Sequence, residues 1–332
     1  MRMLSFCLLQ CGMSQSGGAG CCDGLTPRQE FEGRDVTDES AGEMSELCSV
    51  RTVWSVDGAR VGAVPDPLIL LSTTSVYPDS TSSAFDFAAE AGFDGVELMV
   101  GVDQISLDIE AIAEISDRYK MPVRSLHAPT LLITQRALSS DPWEKLRRSA
   151  EAAKRIGADI VVVHPPFRWQ RGYGEGFVQG IRELNRTSGV TFAVENMYPW
   201  RTPAGSFTAY LPDWDPTNLD YDHLTLDLSH ASTAQLRSLD LVEQWGDRLA
   251  HVHLTDGRGS FKDDHLLPGE GDQEAWAVVR ELGRRGFEGH IVLEVSTRRA
   301  RTGGERADML RSMLETTRAN LKAGVGEAAR RG

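Results

Sequence analysis

The segment Leu224-Thr-Leu-Asp-Leu228 has the residue pattern of a β-strand with one apolar and one polar face. Side chains alternate between the two faces of a β-strand, so the leucines share one face and Asp227 lies on the other. The same alternation occurs in Ala250-His-Val-His-Leu254 and in Ile291-Val-Leu-Glu-Val295, where apolar residues oppose a histidine or a glutamate. We therefore expect the apolar face of each strand to pack on helices and the polar residues to point the other way.

Apolar runs of this kind alternate with amphipathic helical stretches from Pro67 onward. Alternation of strands with helices is typical of parallel βα units, and eight such units over about 250 residues match a (β/α)8 TIM barrel, an α/β fold. The runs are Leu68–Leu71, Gly95–Met99, Val123–His127, Ile160–His164, Phe192–Glu195, Leu224–Asp227, Ala250–Leu254 and Ile291–Val295. We assign residues 67–322 to a TIM-barrel catalytic domain.

One helix between these runs has clear boundary signals. Asp141 can cap its start, Pro142 occupies the first helical position and Glu144 completes a capping box. Gly157 follows the apolar stripe and suits the position just after a helix.

Both ends of the chain differ from the barrel in composition. Residues 1–50 are rich in Gly, Ser, Asp and Glu and show no helical or strand period, so we predict a disordered extension. Residues 51–66 predict a β-hairpin with a type I′ turn at Asp57-Gly58. The last helix is predicted from about Glu305 to Leu321, and residues 323–332 are predicted to be a disordered tail.

Charge and composition exclude several classes of protein. The net charge of −13 argues against a general nucleic-acid-binding protein, whose footprint is a basic patch. No run approaches the roughly 20 apolar residues that span a bilayer, so no membrane partner is expected. The predicted barrel contains no cysteine and cannot depend on disulfides, which is typical of a cytoplasmic protein. A homo-oligomer is compatible with the sequence.

Most of the predicted strands have an acidic residue or a histidine at or near their C-terminal end. The last polar residues of the third to eighth runs, each at the end of its run or one residue before it, are His127, His164, Glu195, Asp227, His253 and Glu294. Buried carboxylates without partners are costly and repel one another. Imidazoles and carboxylates that converge at one mouth are instead the ligands that a divalent cation needs, and TIM barrels place their active sites at this end. The sequence therefore predicts a metal-dependent enzyme that uses a divalent ion such as Mn, Co, Mg or Zn.

Further polar residues follow these strands in the adjoining loops. His230 comes just after the sixth strand, and Asp256, Asp263 and His265 follow the seventh. Asp263 and His265 are two residues apart, so an extended loop presents both on one side. Asp256 is predicted to contact the substrate.

Other polar residues lie at different levels of the barrel. Glu97 ends the second strand and is predicted to touch the substrate. His251 lies deeper in its strand and is expected to support the metal ligands from beneath. His223 and His290 begin strands at the opposite end, which indicates a structural role.

Two long connections carry aromatic residues and arginines. Met197–Asp222 shows no helical stripe, and because it follows a strand it should rise over the mouth, where Trp200 could stack on a substrate. A self-packed surface loop is the alternative. In Pro165–Gly176, Trp169 accompanies Arg168 and a second arginine, which could hold an anionic substrate group or could be solvated.

Several short motifs recur in a distinctive order between Leu68 and Leu321. They are Gly92-Phe-Asp-Gly-Val-Glu97, His127-Ala-Pro129, His164-Pro165, Glu195-Asn196, Asp227-Leu-Ser-His230, His253-Leu-Thr-Asp256, Pro268-Gly-Glu-Gly271 and Leu293-Glu294. Together they resemble the xylose-isomerase-like TIM barrel superfamily, which includes sugar and sugar-phosphate isomerases and epimerases and also endonuclease IV. The resemblance implies that the shared catalytic metal is bound by Glu195, Asp227, His253 and Glu294. It further implies that the additional ligands of a multinuclear zinc site, as in endonuclease IV, are His127, His164, His230, Asp263 and His265.

The preferred function is a sugar or sugar-phosphate isomerase or epimerase with a small carbohydrate substrate. The metal would stabilise an enediolate as a Lewis acid, Glu195 and Glu294 would act as acid and base, and His230 would polarise an oxygen. A barrel that binds a sugar without catalysis is disfavoured, because nothing is missing from the ligand set.

The alternative is an endonuclease IV-like, zinc-dependent phosphodiesterase that acts at abasic sites in DNA. The full ligand set favours it. Ala-Pro-Thr-Leu-Leu-Ile-Thr after His127 departs from that family, and the acidic balance tells against a DNA partner. Shared ligands do not fix the reaction.

Overall fold

A short hairpin precedes the barrel. The computed structural model describes residues 50–54, 60–65, 67–130, 134, 137–202 and 205–331. Strands β1 (Val50–Trp54) and β2 (Arg60–Pro65) pair antiparallel, as expected for the predicted hairpin. The predicted turn at Asp57-Gly58 and the predicted extension, apart from Val50, lie outside the described residues.

Eight parallel strands then close into a barrel. They are β3 (Leu68–Ser72), β4 (Gly95–Met99), β5 (Val123–His127), β6 (Ile160–Val163), β7 (Thr191–Glu195), β10 (Leu224–Asp227), β11 (Leu249–Leu254) and β12 (His290–Leu293). Their order around the barrel follows the chain, and β12 pairs back to β3. The predicted α/β TIM barrel is therefore confirmed.

Helices cover the outside of this barrel. They are α1 (Thr81–Ala91), α2 (Ile109–Tyr119), α3 (Pro142–Ile156), α4 (Arg171–Glu175), α5 (Phe177–Thr187), α6 (Leu228–Ala234), α7 (Ser238–Trp245), α8 (Ala275–Arg285) and α9 (Gly303–Arg331). The described part of the connection from β7 to β10 instead carries two short antiparallel strands, β8 (Trp200–Thr202) and β9 (Gly205–Phe207). Among the described residues, no helix has the length and apolar character needed to cross a membrane.

The two faces of β7 pack in different apolar clusters, as the alternation of side chains predicts. Phe192 and Val194 of β7 belong to the large core between strands and helices. Ala193, between them in sequence, packs with Ile160 and Val162 in a separate cluster. Because parallel strands are buried on both faces, their sequences are nearly continuous runs of apolar residues. The same alternation turns the polar residues at the strand ends toward the barrel axis.

The start of α3 confirms the predicted cap but not the capping box. Asp141 accepts a hydrogen bond from the backbone N–H of Glu144 at 2.7 Å. The Glu144 carboxylate does not return the bond, because it accepts from Arg147 at 3.1 Å and Arg148 at 2.9 Å. The backbone N–H of Asp141 donates to the Ser139 hydroxyl instead.

The predicted disordered tail, residues 323–332, is wrong, because α9 continues to Arg331. Glycines have low helix propensity, which hides this continuation in the sequence. In the structure the glycines are points of close approach between α8 and α9. A Cβ on Gly283 would lie 2.3 Å from the backbone oxygen of Leu321, and a Cβ on Gly324 would lie 1.9 Å from that of Arg280. Packing against α8 therefore stabilises a segment whose own propensity is weak.

We expect the substitution Gly324→Ala to lower the free energy of unfolding by about 1–3 kcal/mol, because the added methyl group meets backbone atoms that cannot move aside. Gly326→Ala is the matched control in the same helix. Its nearest neighbour would be the end of the flexible Arg330 side chain at 3.6 Å, so a gain of about 0.5–1 kcal/mol is expected. Urea unfolding of both variants measures the difference. Equal stabilisation by both substitutions would show that the helices do not touch at Gly324.

Candidate functional site

Four acidic and imidazole side chains meet at the C-terminal mouth of the barrel. The Nδ1 atom of His253 lies 3.2 Å from Glu195 Oε1, 3.5 Å from Asp227 Oδ2 and 3.0 Å from Glu294 Oε2. The side chains come from β7, β10, β11 and the residue just after β12, and all four residues are buried. The structure thus brings together the four residues that the family resemblance assigns to a shared metal.

The contacts of the Asp227 carboxylate indicate whether these four side chains suit a cation. Its Oδ1 atom caps α6 by accepting the backbone N–H of His230 at 2.7 Å. Its Oδ2 atom is buried and has no hydrogen-bond partner among the described residues. A buried carboxylate oxygen without a partner is costly, and a divalent cation would satisfy it. The donor set therefore fits a metal ion.

Each carboxylate oxygen of Glu195 lies close to a different pair of histidine nitrogens. Its Oε2 atom is 3.2 Å from His127 Nε2 and 2.9 Å from His164 Nε2, while its Oε1 atom is 3.2 Å from the Nδ1 atoms of His230 and His253. Burial alone would raise the pKa of this carboxyl group, but the surrounding histidines hold the pKa well below its usual value. Glu195 is therefore held as a carboxylate, the form in which it would bind a cation.

A third set of donors lies on the more open side of the mouth. Asp263 Oδ2 is 3.1 Å from His230 Nε2 and 2.9 Å from His265 Nε2. The side chains of Asp263 and His265 are 22% and 27% exposed, so substrate can approach from this side. Among the described residues, potential ligand atoms lie within 4.8 Å of one another in four sets: Glu97, His251 and His253; His127, His164 and Glu195; Glu195, Asp227 and His253; and Asp227, His230 and His265.

Glu97 lies beneath the open side of the site, and its predicted contact with substrate stays a prediction. It is wholly buried, and its carboxylate lies 2.9 Å from His253 Nε2 and 3.0 Å from His251 Nε2. The Ser125 hydroxyl donates to it at 2.9 Å. His251 lies beneath the ligands, as expected, although it reaches them through Glu97.

Asp256 has a structural role in the loop after β11, and its predicted contact with substrate stays a prediction. It is wholly buried, and its carboxylate accepts three backbone N–H groups. The donors are Gly257 at 3.0 Å, Gly269 at 2.9 Å and Gln273 at 3.1 Å. These bonds hold the long loop after β11 and thereby place Asp263 and His265.

The aromatic connection is partly self-packed and partly open. Phe167 and Tyr210 are buried in a small cluster with Trp200 packed against it. Trp169 is 56% exposed and stacks flat on Phe167, with ring centroids 4.6 Å apart. Arg168 and Trp169, together with three neighbouring side chains, line an open cavity of about 680 Å³. The two predicted substrate residues of this loop are therefore accessible, whereas Trp200 supports them.

Sequence reasoning missed two residues beside the site. The ring of Tyr198 lies 5.0 Å from that of His230, and the Thr74 hydroxyl donates to Glu294 Oε1 at 3.4 Å. Tyr198 could have been found, because it follows Glu195 by three positions at the mouth. Thr74 carried no signal, since it lies 220 residues from its partner.

His290 occupies the other end of the barrel interior. It is buried, as its predicted structural role requires, and its Nε2 atom is 3.4 Å from Asp159 Oδ1. Burial, with help from the nearby His251, lowers the pKa of His290 to about 4. The residue is therefore neutral in the folded protein at neutral pH.

This lowered pKa predicts a loss of stability in acid. The unfolded chain binds the proton at a pKa near 6.5, so the stability is complete above that pH and falls as the pH drops toward 4. The expected loss is about 3 kcal/mol by pH 4. Denaturant unfolding at a series of pH values, with the wild type and His290→Leu, measures it. The same acid dependence in both proteins would contradict the assignment to His290.

Comparisons with known proteins agree with this architecture. The family model described as "Xylose isomerase-like TIM barrel" matches residues 85–319. An uncharacterized protein of Mycobacterium tuberculosis is 46% identical over 270 residues, which cover 76% of this chain and 96% of the relative. Fructoselysine 3-epimerase of Escherichia coli O157:H7 is 21% identical over 238 residues, 64% of this chain and 85% of that protein.

A solved structure shows the same fold. The xylose isomerase domain protein from Alicyclobacillus acidocaldarius superposes with a TM-score of 0.57 at 23% identity, over 77% of this chain and 99% of that one. The matched family model extends over most of the barrel, from α1 to α9. The chain therefore belongs to the xylose isomerase-like TIM barrel family.

Proposed function

We propose that the protein is a divalent-metal-dependent isomerase or epimerase of a sugar or sugar phosphate. One observation carries the proposal: two buried glutamates, Glu195 and Glu294, both lie within 3.2 Å of the same His253 Nδ1 atom. The similarity to fructoselysine 3-epimerase supports a small carbohydrate as the substrate class. The family contains other chemistries, so the site rather than the fold must carry the argument.

The residues of the mouth suit proton transfer at a carbon next to a carbonyl group. When bound to Glu195, Asp227, His253 and Glu294, a divalent cation supplies Lewis-acid stabilisation of the negative charge that develops on substrate oxygens. One glutamate removes the proton from carbon to leave an enediolate, and the other returns a proton. His230 polarises a substrate oxygen.

The loops around the mouth would select the substrate. The exposed face of Trp169 offers a stacking surface for a sugar ring. Arg168 and Arg171 line the adjoining cavity and match the geometry of a phosphate or carboxylate group. The two arginines could hold an anionic group of the substrate, although Glu175 lines the same cavity.

Deuterium exchange tests this function. Protein freed of metal and then loaded with Mn²⁺, Co²⁺, Mg²⁺ or Zn²⁺ is incubated in D₂O with a panel of ketoses and ketose phosphates. We expect deuterium at the carbon next to the carbonyl with at least one metal, and none after chelation. Absence of exchange with all four metals across the panel would refute the proposal.

A phosphodiesterase acting at abasic sites in DNA is the second candidate. The observation that favours it is a chain of three sets of potential ligands, in which Glu195 links the first set to the second and Asp227 links the second to the third. Such a cluster would hold several zinc ions, which activate water and neutralise a phosphate. Three equivalents of bound zinc together with cleavage of an abasic oligonucleotide would establish it. The net charge of −13 weighs against a DNA partner.

A further inference from the structure

Glu97 reaches the metal centre from below and across the barrel. It belongs to β4, which is separated from β11 by β12 and β3 around the closed sheet. Its side chain crosses the interior to reach His253, from which it is 156 residues distant in sequence. Both residues are wholly buried, so this contact has no solvent alternative.

The contact gives the two ring nitrogens of His253 different neighbours. Its Nε2 atom lies 2.9 Å from Glu97 Oε1, while its Nδ1 atom faces Glu195, Asp227 and Glu294 at 3.0–3.5 Å. A neutral imidazole carries one proton, and the nitrogen that donates it cannot bind a metal. If Nε2 donates to Glu97, the lone pair of Nδ1 points at the carboxylates of the mouth.

We propose that Glu97 is a positioning residue that selects the Nε2–H form of His253 and orients its Nδ1 atom toward the metal. The proposal rests on the proposed metal site and adds a residue to it. A carboxylate that accepts the second N–H of a ligating histidine also increases the basicity of that ligand.

The surroundings of Glu97 support this role. A buried carboxylate needs several donors, and Ser125 Oγ lies at 2.9 Å and His251 Nε2 at 3.0 Å on its other oxygen. The Ser125 hydroxyl donates to Oε2, which leaves Oε1 directed at His253. The carboxylate has no exposed surface, and its contacts among the described residues are with Ser125, His251 and His253.

Cobalt binding tests the proposal, because it reads the metal site without any substrate. Co²⁺ is titrated into metal-free protein and followed by its visible absorption, with a competing chelator to extract the dissociation constant. We expect Glu97→Met, which removes the acceptor, to weaken binding about 10–100-fold. Glu97→Gln keeps one oxygen for His253, so it should restore part of the affinity. Ser125→Ala removes the hydroxyl that donates to Oε2 of Glu97 but leaves the carboxylate in place, so it should weaken binding less than Glu97→Met does.

A second readout separates positioning from packing. In zinc-loaded wild type, ¹⁵N NMR of the histidine rings should show His253 protonated at Nε2 and metal-bound at Nδ1. Equal cobalt affinity in the wild type and both Glu97 variants would overturn the inference alone. Anomalous scattering that placed a cation between Glu97 and His251 would also overturn it. If the wild type binds no cobalt, the proposed function fails together with the inference.

Discussion

Replacing Glu294 with glutamine is expected to lower the rate of deuterium exchange about 10³-fold or more. An amide cannot accept or return a proton, and general acid–base catalysis alone contributes about 10²–10⁴-fold. Glu294 is the more accessible of the two proposed glutamates, with 11% of its side chain exposed against 1% for Glu195. It is therefore the carboxylate that a substrate entering the mouth meets first.

The matched control is Glu270→Gln in the neighbouring loop. Glu270 pairs with Arg299 at 2.6 Å on the protein surface and does not belong to the donor sets. Both variants should keep the circular dichroism spectrum of the wild type, and the control should keep its exchange rate. A Glu294→Gln protein with full activity would refute the assignment of this residue as acid or base.

Replacing Asp227 with asparagine is expected to weaken metal binding about 100-fold or more. The amide keeps an oxygen that can cap α6, so the fold should survive. It replaces the unpartnered Oδ2 atom with an NH₂ group, which cannot donate electrons to a cation. The effect should exceed the loss from disturbing Glu97, because Asp227 is itself a proposed ligand.

Thermal or chemical unfolding with and without Zn²⁺ measures this change. At a zinc concentration about 1,000 times the wild-type dissociation constant, the wild type should gain about 4 kcal/mol of stability and the variant only about 1.4 kcal/mol. Asp108→Asn is the control, because Asp108 also caps a helix, accepting the Ala111 N–H at 3.1 Å, but lies outside the donor sets. Equal stabilisation of Asp227→Asn and wild type by zinc would contradict a metal site at Asp227.

These two experiments separate binding from chemistry. Loss of exchange in Glu294→Gln with zinc still bound would assign that residue to proton transfer. Loss of zinc in Asp227→Asn would assign that residue to the metal.

The barrel and the residues at its mouth could be predicted from local patterns in the chain. Strand alternation is a local property, so the pattern around Asp227, His253 and Glu294 was enough to turn each side chain inward. Parallel strands end at the same edge, which brings those side chains together without any further information. The cap at Asp141 was also readable, because its partner Glu144 is three residues away.

Features that depend on partners distant in the chain could be identified only in the folded protein. In the sequence, Glu97 and Asp256 look like residues that face the mouth. In the structure, Glu97 contacts His253 on the far side of the barrel, and Asp256 accepts hydrogen bonds from the loop that follows it. The continuation of α9 depends on contact between Gly324 and Arg280, which outweighs the low helix propensity of glycine. Local periodicity determines which way a side chain points, whereas its hydrogen-bond partner and its exposure depend on which distant residues the closed barrel places beside it.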